Sequence, residues 1–194
     1  DDLVSGGEAN DTVVGGDGDD SMLGRLGSDD LSGGAGNDSL SPGGGTSNDA
    51  LDGGADRDTV DYGRSPVSGG STGVTVNLGT VGDGAVGGSG DQNTVAAGFD
   101  DLVGLESIRG SFYNDTLTGD GSSNFIFGWG GDDVISTLGG DDTLSGGDGN
   151  DNLSGGDGSD QFHGGAGTDT CDGGNDVDDF GADEGTCETE LNAP

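Results

Sequence analysis

Residues 146–172 read GGDGNDNLS, GGDGSDQFH and GGAGTDTCD, three nonapeptides laid end to end. In each, positions one, two and four are glycine, position six is aspartate (Asp151, Asp160, Asp169) and position eight is apolar (Leu153, Phe162, Cys171). Glycine accepts positive φ and lets the backbone approach a neighbour closely, which suits a tight turn over positions one to six. One apolar residue flanked by two others suits a short strand with a single side chain pointing inward. Each nonapeptide therefore reads as half a coil, and two of them as a coil of 18 residues.

The same period extends in both directions. From Gly110 to Gly181 eight units follow without a gap, beginning at Gly110, Gly119, Gly128, Thr137, Gly146, Gly155, Gly164 and Gly173. An earlier block runs from Gly6 to Asp61, with units beginning at Gly6, Gly15, Gly24, Gly33, Gly44 and Gly53 and a two-residue slip at Pro42 and Gly43. Position six holds Asp11, Asp20, Asp29, Asp38, Asp49 and Asp58 in the first block and Asp115, Asp133, Asp142, Asp151, Asp160, Asp169 and Asp178 in the second. Asn124 fills the one remaining slot, and its amide oxygen can still act as a ligand without the charge. Position eight is apolar in every unit.

The pattern G-G-x-G-x-D-x-U-x, with U a large apolar residue, resembles the RTX (repeats-in-toxin) family of haemolysin-type calcium-binding repeats. The likeness covers fourteen units, 126 of the 194 residues. It implies an all-β fold, a right-handed parallel β-roll (a β-helix or solenoid), here in two repeat blocks with an intervening insertion. It also implies calcium ions between turns stacked on one edge, two repeats apart. Pairs such as Asp20/Asp38, Asp133/Asp151, Asp142/Asp160, Asp151/Asp169 and Asp160/Asp178 would each face one ion. The metal-binding set expected on this basis is the position-six residues above, the turn glycines Gly15, Gly33, Gly146, Gly155 and Gly164, and the position-three carboxylates Asp17, Asp148 and Asp157. Carboxylates with backbone carbonyls, at six to eight oxygens per ion, suit Ca²⁺ better than Mg²⁺ or a thiophilic metal, and on the order of ten ions are expected.

Composition points the same way. Glycine supplies 48 of 194 residues, apolar residues only 27%, and the net charge is −35 with no lysine. Without a cation such a chain is a disordered polyanion, because little apolar burial opposes chain entropy and the carboxylates repel. Nucleic acid and anionic membrane surfaces both require Lys and Arg, and this chain has only Arg25, Arg57, Arg64 and Arg109. No apolar run approaches the ~18 residues of a membrane span. Extracellular calcium modules commonly bind at about 10⁻⁴–10⁻³ M, so the chain is expected to be unfolded in a low-calcium cytosol and folded once secreted. The first residue is not Met and falls inside a repeat, as expected of a processed protein or an excised fragment.

The expected organisation is a first β-roll block over 1–61, an insertion or spacer over 62–109, a second block over 110–181 and a C-terminal cap over 182–194. Within the insertion, Gly73–Gly79 reads GVTVNLG and suits a strand, and residues 79–98 are rich in glycine. In DDLVGLESIRG, Asp100–Gly110, the repeat register run backwards puts Glu106 in the aspartate slot and Ile108 in the apolar slot, so the second roll can begin one strand early. Cys171 and Cys187, the only cysteines, are expected to form a disulfide that seals the open end of the roll.

Catalytic readings find little support. Gly69–Gly73 spells G-x-S-x-G around Ser71, but that elbow needs a strand before it, a helix after it and a histidine base, and the single histidine, His163, lies inside a repeat. No H-E-x-x-H is present. The chain is therefore read as non-enzymatic: a secreted, monomeric calcium-dependent folding module with a structural, adhesive or spacer role. The alternative is the C-terminal repeat region of a larger secreted enzyme, such as an RTX-type protease or lipase, or of a toxin. Phe112, Tyr113, Phe125, Phe127 and Trp129 gather near the start of the second block. They are expected to pack beneath the insertion, with a carbohydrate or cell-surface partner as the other reading.

Overall fold

In a computed structural model the described residues are 1–44, 47–63, 73–78, 91–94, 98–181, 187 and 189–191. Ser71, most of the glycine-rich stretch 79–98 and most of the C-terminal cap lie outside them. The described residues contain no helix and form strands β1 (Leu3–Gly7), β2 (Thr12–Asp17), β3 (Ser21–Arg25), β4 (Asp30–Ala35), β5 (Ser39–Gly43), β6 (Ala50–Ala55), β7 (Thr59–Asp61), β8 (Thr75–Asn77), β9 (Asp91–Thr94) and β10 (Gly98–Val103). They continue with β11 (Ser107–Arg109), β12 (Thr116–Thr118), β13 (Phe125–Gly130), β14 (Val134–Ser136), β15 (Thr143–Asp148), β16 (Asn152–Asp157), β17 (Gln161–Ala166), β18 (Thr170–Asn175) and β19 (Thr189–Leu191).

Alternate strands belong to opposite walls, as half-coil repeats require. One wall is a single eight-stranded sheet, β1-β3-β5-β7-β11-β13-β15-β17, that runs through both repeat blocks. The other wall is broken into β2-β4-β6-β10-β9 and β8-β12-β14-β16-β18-β19. Every pairing is parallel except β9 with β10. Partners lie one coil apart, as in Leu144↔Phe162 and Leu153↔Cys171. The slip at Pro42 and Gly43 lengthens that step by two, giving Leu31↔Leu51 and Leu40↔Val60 without disturbing the inward column. The chain is thus an all-β parallel β-roll.

The position-eight side chains form the core. Met22, Leu31, Leu40, Val60, Leu117, Ile126, Leu144 and Leu153 are fully buried between the two walls. Glycine at the turns is dictated by contact: at Gly149, φ is +146° and an added Cβ would run into the Gly131 carbonyl of the coil below.

Strands β10 and β11 lie inside the segment 62–109. They continue the roll rather than leave it: Leu102 pairs with Leu51, and Ile108 with both Val60 and Ile126. The second roll does begin one strand early, as the backward register suggests, since β11 joins the two blocks in the continuous sheet. β8 starts the other wall of the second block, with Val76 beside Leu117.

Cys171 and Cys187 form a disulfide with Cα atoms 5.8 Å apart, and β19 beyond it pairs with β18. The expectation that the aromatic residues pack beneath the insertion needs correction. Phe112, Phe125 and Trp129 are 62%, 44% and 39% exposed, because Phe125, Phe127 and Trp129 alternate with inward Ile126 and so face outward. Phe112 and Phe127 each lie 5.2 Å from Trp129 between ring centroids, an exposed cluster on the outer surface.

Candidate metal centre

Each turn places its position-six aspartate at the start of the following strand, with the carboxyl directed inward under the next coil. On the edge leading into the eight-stranded sheet, the backbone N–H of each such residue donates to Oδ1 of its successor one coil on. Asp20 N–H donates to Asp38 at 2.8 Å, Asp38 to Asp58 at 2.8 Å, Asp142 to Asp160 at 3.0 Å and Asp160 to Asp178 at 3.1 Å. On the opposite edge Asp11 donates to Asp29, Asp29 to Asp49, Asp115 to Asp133, Asp133 to Asp151 and Asp151 to Asp169, at 2.7–2.9 Å. The carboxylates therefore stand in two files, one along each edge of the roll.

Oδ1 is thus satisfied by the backbone, and Oδ2 is not. The Oδ2 atoms of Asp20, Asp38, Asp58, Asp160 and Asp178 on one edge, and of Asp29, Asp133 and Asp151 on the other, are buried and meet no hydrogen-bond donor. A buried acceptor without a partner is costly, and a file of them calls for an electropositive group outside the polypeptide. For Asp20, Asp29, Asp38, Asp58, Asp133 and Asp151, Oδ2 shares its space with a backbone carbonyl of the next coil. A Cβ placed on Gly15 would lie 2.5 Å from Asp20 Oδ2 and 2.7 Å from the Gly33 carbonyl oxygen. At Gly146 the same position is crowded by Asp151 Oδ2 and lies 2.6 Å from the Gly164 carbonyl oxygen. Position one is glycine because a carboxylate and a carbonyl converge there on a small cradle.

Among the described residues no three His, Cys, Asp or Glu side chains converge on one point. The donors on offer at each cradle are instead one carboxylate oxygen per turn together with main-chain carbonyls. That all-oxygen set suits a hard cation that accepts carbonyls, and Ca²⁺ fits it. Position-six residues such as Asp20, Asp133 and Asp151 would hold ions with the carbonyls of Gly33, Gly146 and Gly164 respectively. A bound ion there would supply the positive charge that these oxygens lack. The position-three carboxylates Asp17, Asp148 and Asp157 are exposed, and Asp157 accepts from the Asn175 side chain at 2.5 Å.

Electrostatics describe the same need. Burial, and then the neighbouring carboxylates of the file, push Asp151 and Asp160 up to about 6 and Asp133 to about 8. Asp58 rises to about 6 for the same reasons, and Asp38 and Asp142 are also raised, burial first. A cation would reverse the penalty by replacing lost hydration and neutralising the repulsion.

Several position-six residues behave differently. Both Asp115 oxygens are occupied: Oδ2 by the Ser111 N–H at 2.6 Å, and Oδ1 by the Val74 N–H at 2.7 Å and the Ser111 hydroxyl at 2.8 Å. Asn124 Oδ1 accepts the Asp120 N–H at 2.8 Å, and its amide donates to the Glu106 carbonyl and Asp120 Oδ1 at 3.3 and 3.2 Å. Where Thr137 replaces the first glycine, its hydroxyl donates to the Gly155 carbonyl at 2.6 Å. Asp11 is only partly buried, at the start of the first block.

Sequence reading missed three features. Asp100 occupies an aspartate slot, accepting the Asp49 N–H at 3.1 Å with Leu102 beside Leu51. The Asp-x-Leu spacing of 100–102 repeats that of 49–51, but Ile108 follows six residues after Leu102 rather than nine, which breaks the period. Tyr62, fully buried, donates its hydroxyl to Asp100 Oδ2 at 3.0 Å. Position five also carries an outer ladder of opposite sense, in which Asn37 donates to Asp19, Asn150 to Asp132 and Thr168 to Asn150, each by its backbone N–H. That ladder was legible as the recurrence of Asn and Asp at position five.

The family description for the RTX calcium-binding nonapeptide repeat matches in four copies, over residues 1–40, 44–64, 109–144 and 145–180, about two thirds of the chain. No curated protein matches it.

Proposed function

From the chain's membership of the RTX calcium-binding nonapeptide repeat family we propose a calcium-loaded β-roll whose folding and ion binding are one equilibrium. Calcium binding follows from the family. The observation that supports the coupling to folding is the file of buried Oδ2 atoms without donors, most of them facing a main-chain carbonyl across a glycine. Without an ion these acceptors are stranded and the carboxylates of neighbouring coils repel. With one, each coil is tied to the next. Proteins of this family are typically secreted. An extracellular location gives the coupling a use: the chain stays unfolded where calcium is scarce and stiffens where it is abundant.

The role we assign is a calcium-dependent folding and spacer module, monomeric, with on the order of ten ions at the position-six files. Among the described residues no helix is long and apolar enough to cross a membrane. The exposed cluster of Phe112, Phe127 and Trp129 is where an adhesive role, to a carbohydrate or a cell surface, would be exercised. The second reading, the repeat region of a larger secreted enzyme or toxin, keeps the same chemistry for this segment.

Far-UV circular dichroism during a calcium titration tests the central claim. Strand signal should appear cooperatively with calcium and vanish on chelation at neutral pH. A chain already rich in strand in excess chelator would refute the coupling, and parent-like titrations of Asp151→Ala and Asp160→Ala would refute the ligand set.

A further inference from the structure

The buried acceptors are distributed unevenly along the roll. Oδ2 atoms without donors occur up to Asp58 in the first block and resume at Asp133 in the second. Between them, at the level where β7 hands over to β11 and where the second wall is broken, protein groups fill the acceptors on both edges. On one edge Asn124, already neutral, is bonded to Asp120 and Glu106, while Glu106 Oε2 accepts only the Asp58 N–H at 3.0 Å, the ladder bond that the file members share. On the other edge Asp100 Oδ2 receives the Tyr62 hydroxyl, and Asp115 receives Ser111 twice and Val74 once. Tyr62 and Asp100 are both fully buried. Beside this level, Arg109 lies 3.4 Å from Asp61 across β11 and β7.

We propose that the level joining the two repeat blocks is held by protein hydrogen bonds in place of calcium. On this view Asp100, Asp115 and Asn124 are not ligands, and the calcium sites form two arrays on either side of a calcium-independent seam. The inference rests on the calcium reading above and narrows it, removing Asp115 and Asn124 from the expected ligand set. The chemistry is substitution of one electropositive partner by another. A hydroxyl oxygen or backbone nitrogen donating across 2.6–3.0 Å to a carboxylate or amide oxygen uses the lone pairs that an ion would need. The donors also fit the sequence. Tyr62 opens the segment 62–109, where the nonapeptide period fails, and Ser111 lies just beyond it. The Gly104 carbonyl still completes the Gly53 cradle beside Asp58, but only six residues then separate Leu102 from Ile108.

The test is a count of bound calcium by equilibrium dialysis on the full chain, with thermal melts in saturating calcium. Asp100→Asn should bind as many ions as the parent, while Asp151→Asn should bind at least one fewer. Tyr62→Phe should keep the parental count and melt about 2–4 °C lower, because a buried acceptor loses its donor. Loss of an ion in Asp100→Asn would overturn the seam. If Asp100→Asn does not fold, Tyr62→Phe decides alone, and an unchanged melting midpoint there overturns the proposal. Unchanged counts in both Asp100→Asn and Asp151→Asn would overturn the ligand set itself, an outcome separate from failure of the seam.

Discussion

Asp151→Asn should change the sign of its effect with calcium concentration. Asn keeps the Oδ1 that accepts the Asp133 N–H at 2.8 Å, and the volume is unchanged, so the ladder survives. What it replaces is Oδ2, which is buried and has no donor. In chelator the parent bears the penalty of a buried carboxylate, raised from 3.8 to about 6 by burial and by Asp169 and Asp132. That shift corresponds to about 3 kcal/mol at neutral pH, which partial solvation of the turn reduces to about 1–2 kcal/mol. The neutral variant escapes it. In calcium the balance turns, because an ion at 100 times its dissociation constant contributes about 2.7 kcal/mol that the variant forgoes. The variant should therefore be the more stable chain at low calcium and the less stable one at high calcium, by about 1 kcal/mol in each case. Thermal midpoints measured across a series of free calcium concentrations give the assay. One lost ion reduces the gain in stability by about 1.4 kcal/mol for each tenfold rise in calcium, so the two lines must cross. Parallel lines would show that Asp151 holds no ion, and a variant that is weaker at every concentration would show that the buried charge carries no penalty.

Acid should substitute for calcium in the chelated chain. Asp58, Asp151 and Asp160 rise to about 6 and Asp133 to about 8, so the folded state binds protons more tightly than the unfolded one. Their stabilising contribution is complete below 3.8 and is lost as pH climbs through about 6 to 8. Circular dichroism in chelator should show strand content appearing on acidification, and a chain still disordered at the bottom of that window would contradict it. Gly149→Ala, at φ +146° and against the Gly131 carbonyl, should cost more than about 1 kcal/mol, whereas Gly121→Ala, with open space around it, should be nearly silent in the same calcium titration. Reducing Cys171–Cys187 releases a closure of 16 residues and should cost about 3 kcal/mol in the chain-entropy account, read as a lower melting midpoint with calcium-induced strand signal retained.

The periodic parts were legible in the sequence for a simple physical reason. A coil that stacks on copies of itself places the same demands on every copy. Gly15 and Gly146 must lack a Cβ, Asp20 and Asp151 must reach the same backbone N–H, and Met22 and Leu153 must fill the same interior, so each requirement recurs at nine residues. Even the two-residue slip, which the pairing places after Gly43, leaves the inward column intact. The pairing of Cys171 with Cys187 also follows from position, since the register brings them to neighbouring coils at one end.

Where the period stops, residue type no longer announces its duty. Asp100 sits among ordinary acidic residues, and only the stacking of β10 on β6 shows that it continues a file. Tyr62 carries no motif, and its partner lies 38 residues away. Asp115 keeps the aspartate slot, but Ser111 replaces the second glycine of its repeat, and Ser111 and Val74 take its oxygens. Phe125, Phe127 and Trp129 look like core material by composition, and the two-residue alternation of a strand already filled inward by Ile126 turns them to solvent. The nine-residue period alone specifies the coil, its core and the two files of carboxylates, because short-range geometry repeated many times leaves a periodic trace. Which carboxylates keep an oxygen free for a cation and which are already satisfied emerges only from the folded chain, because that depends on donors that occur once, some local like Ser111 and some distant like Tyr62 and Val74.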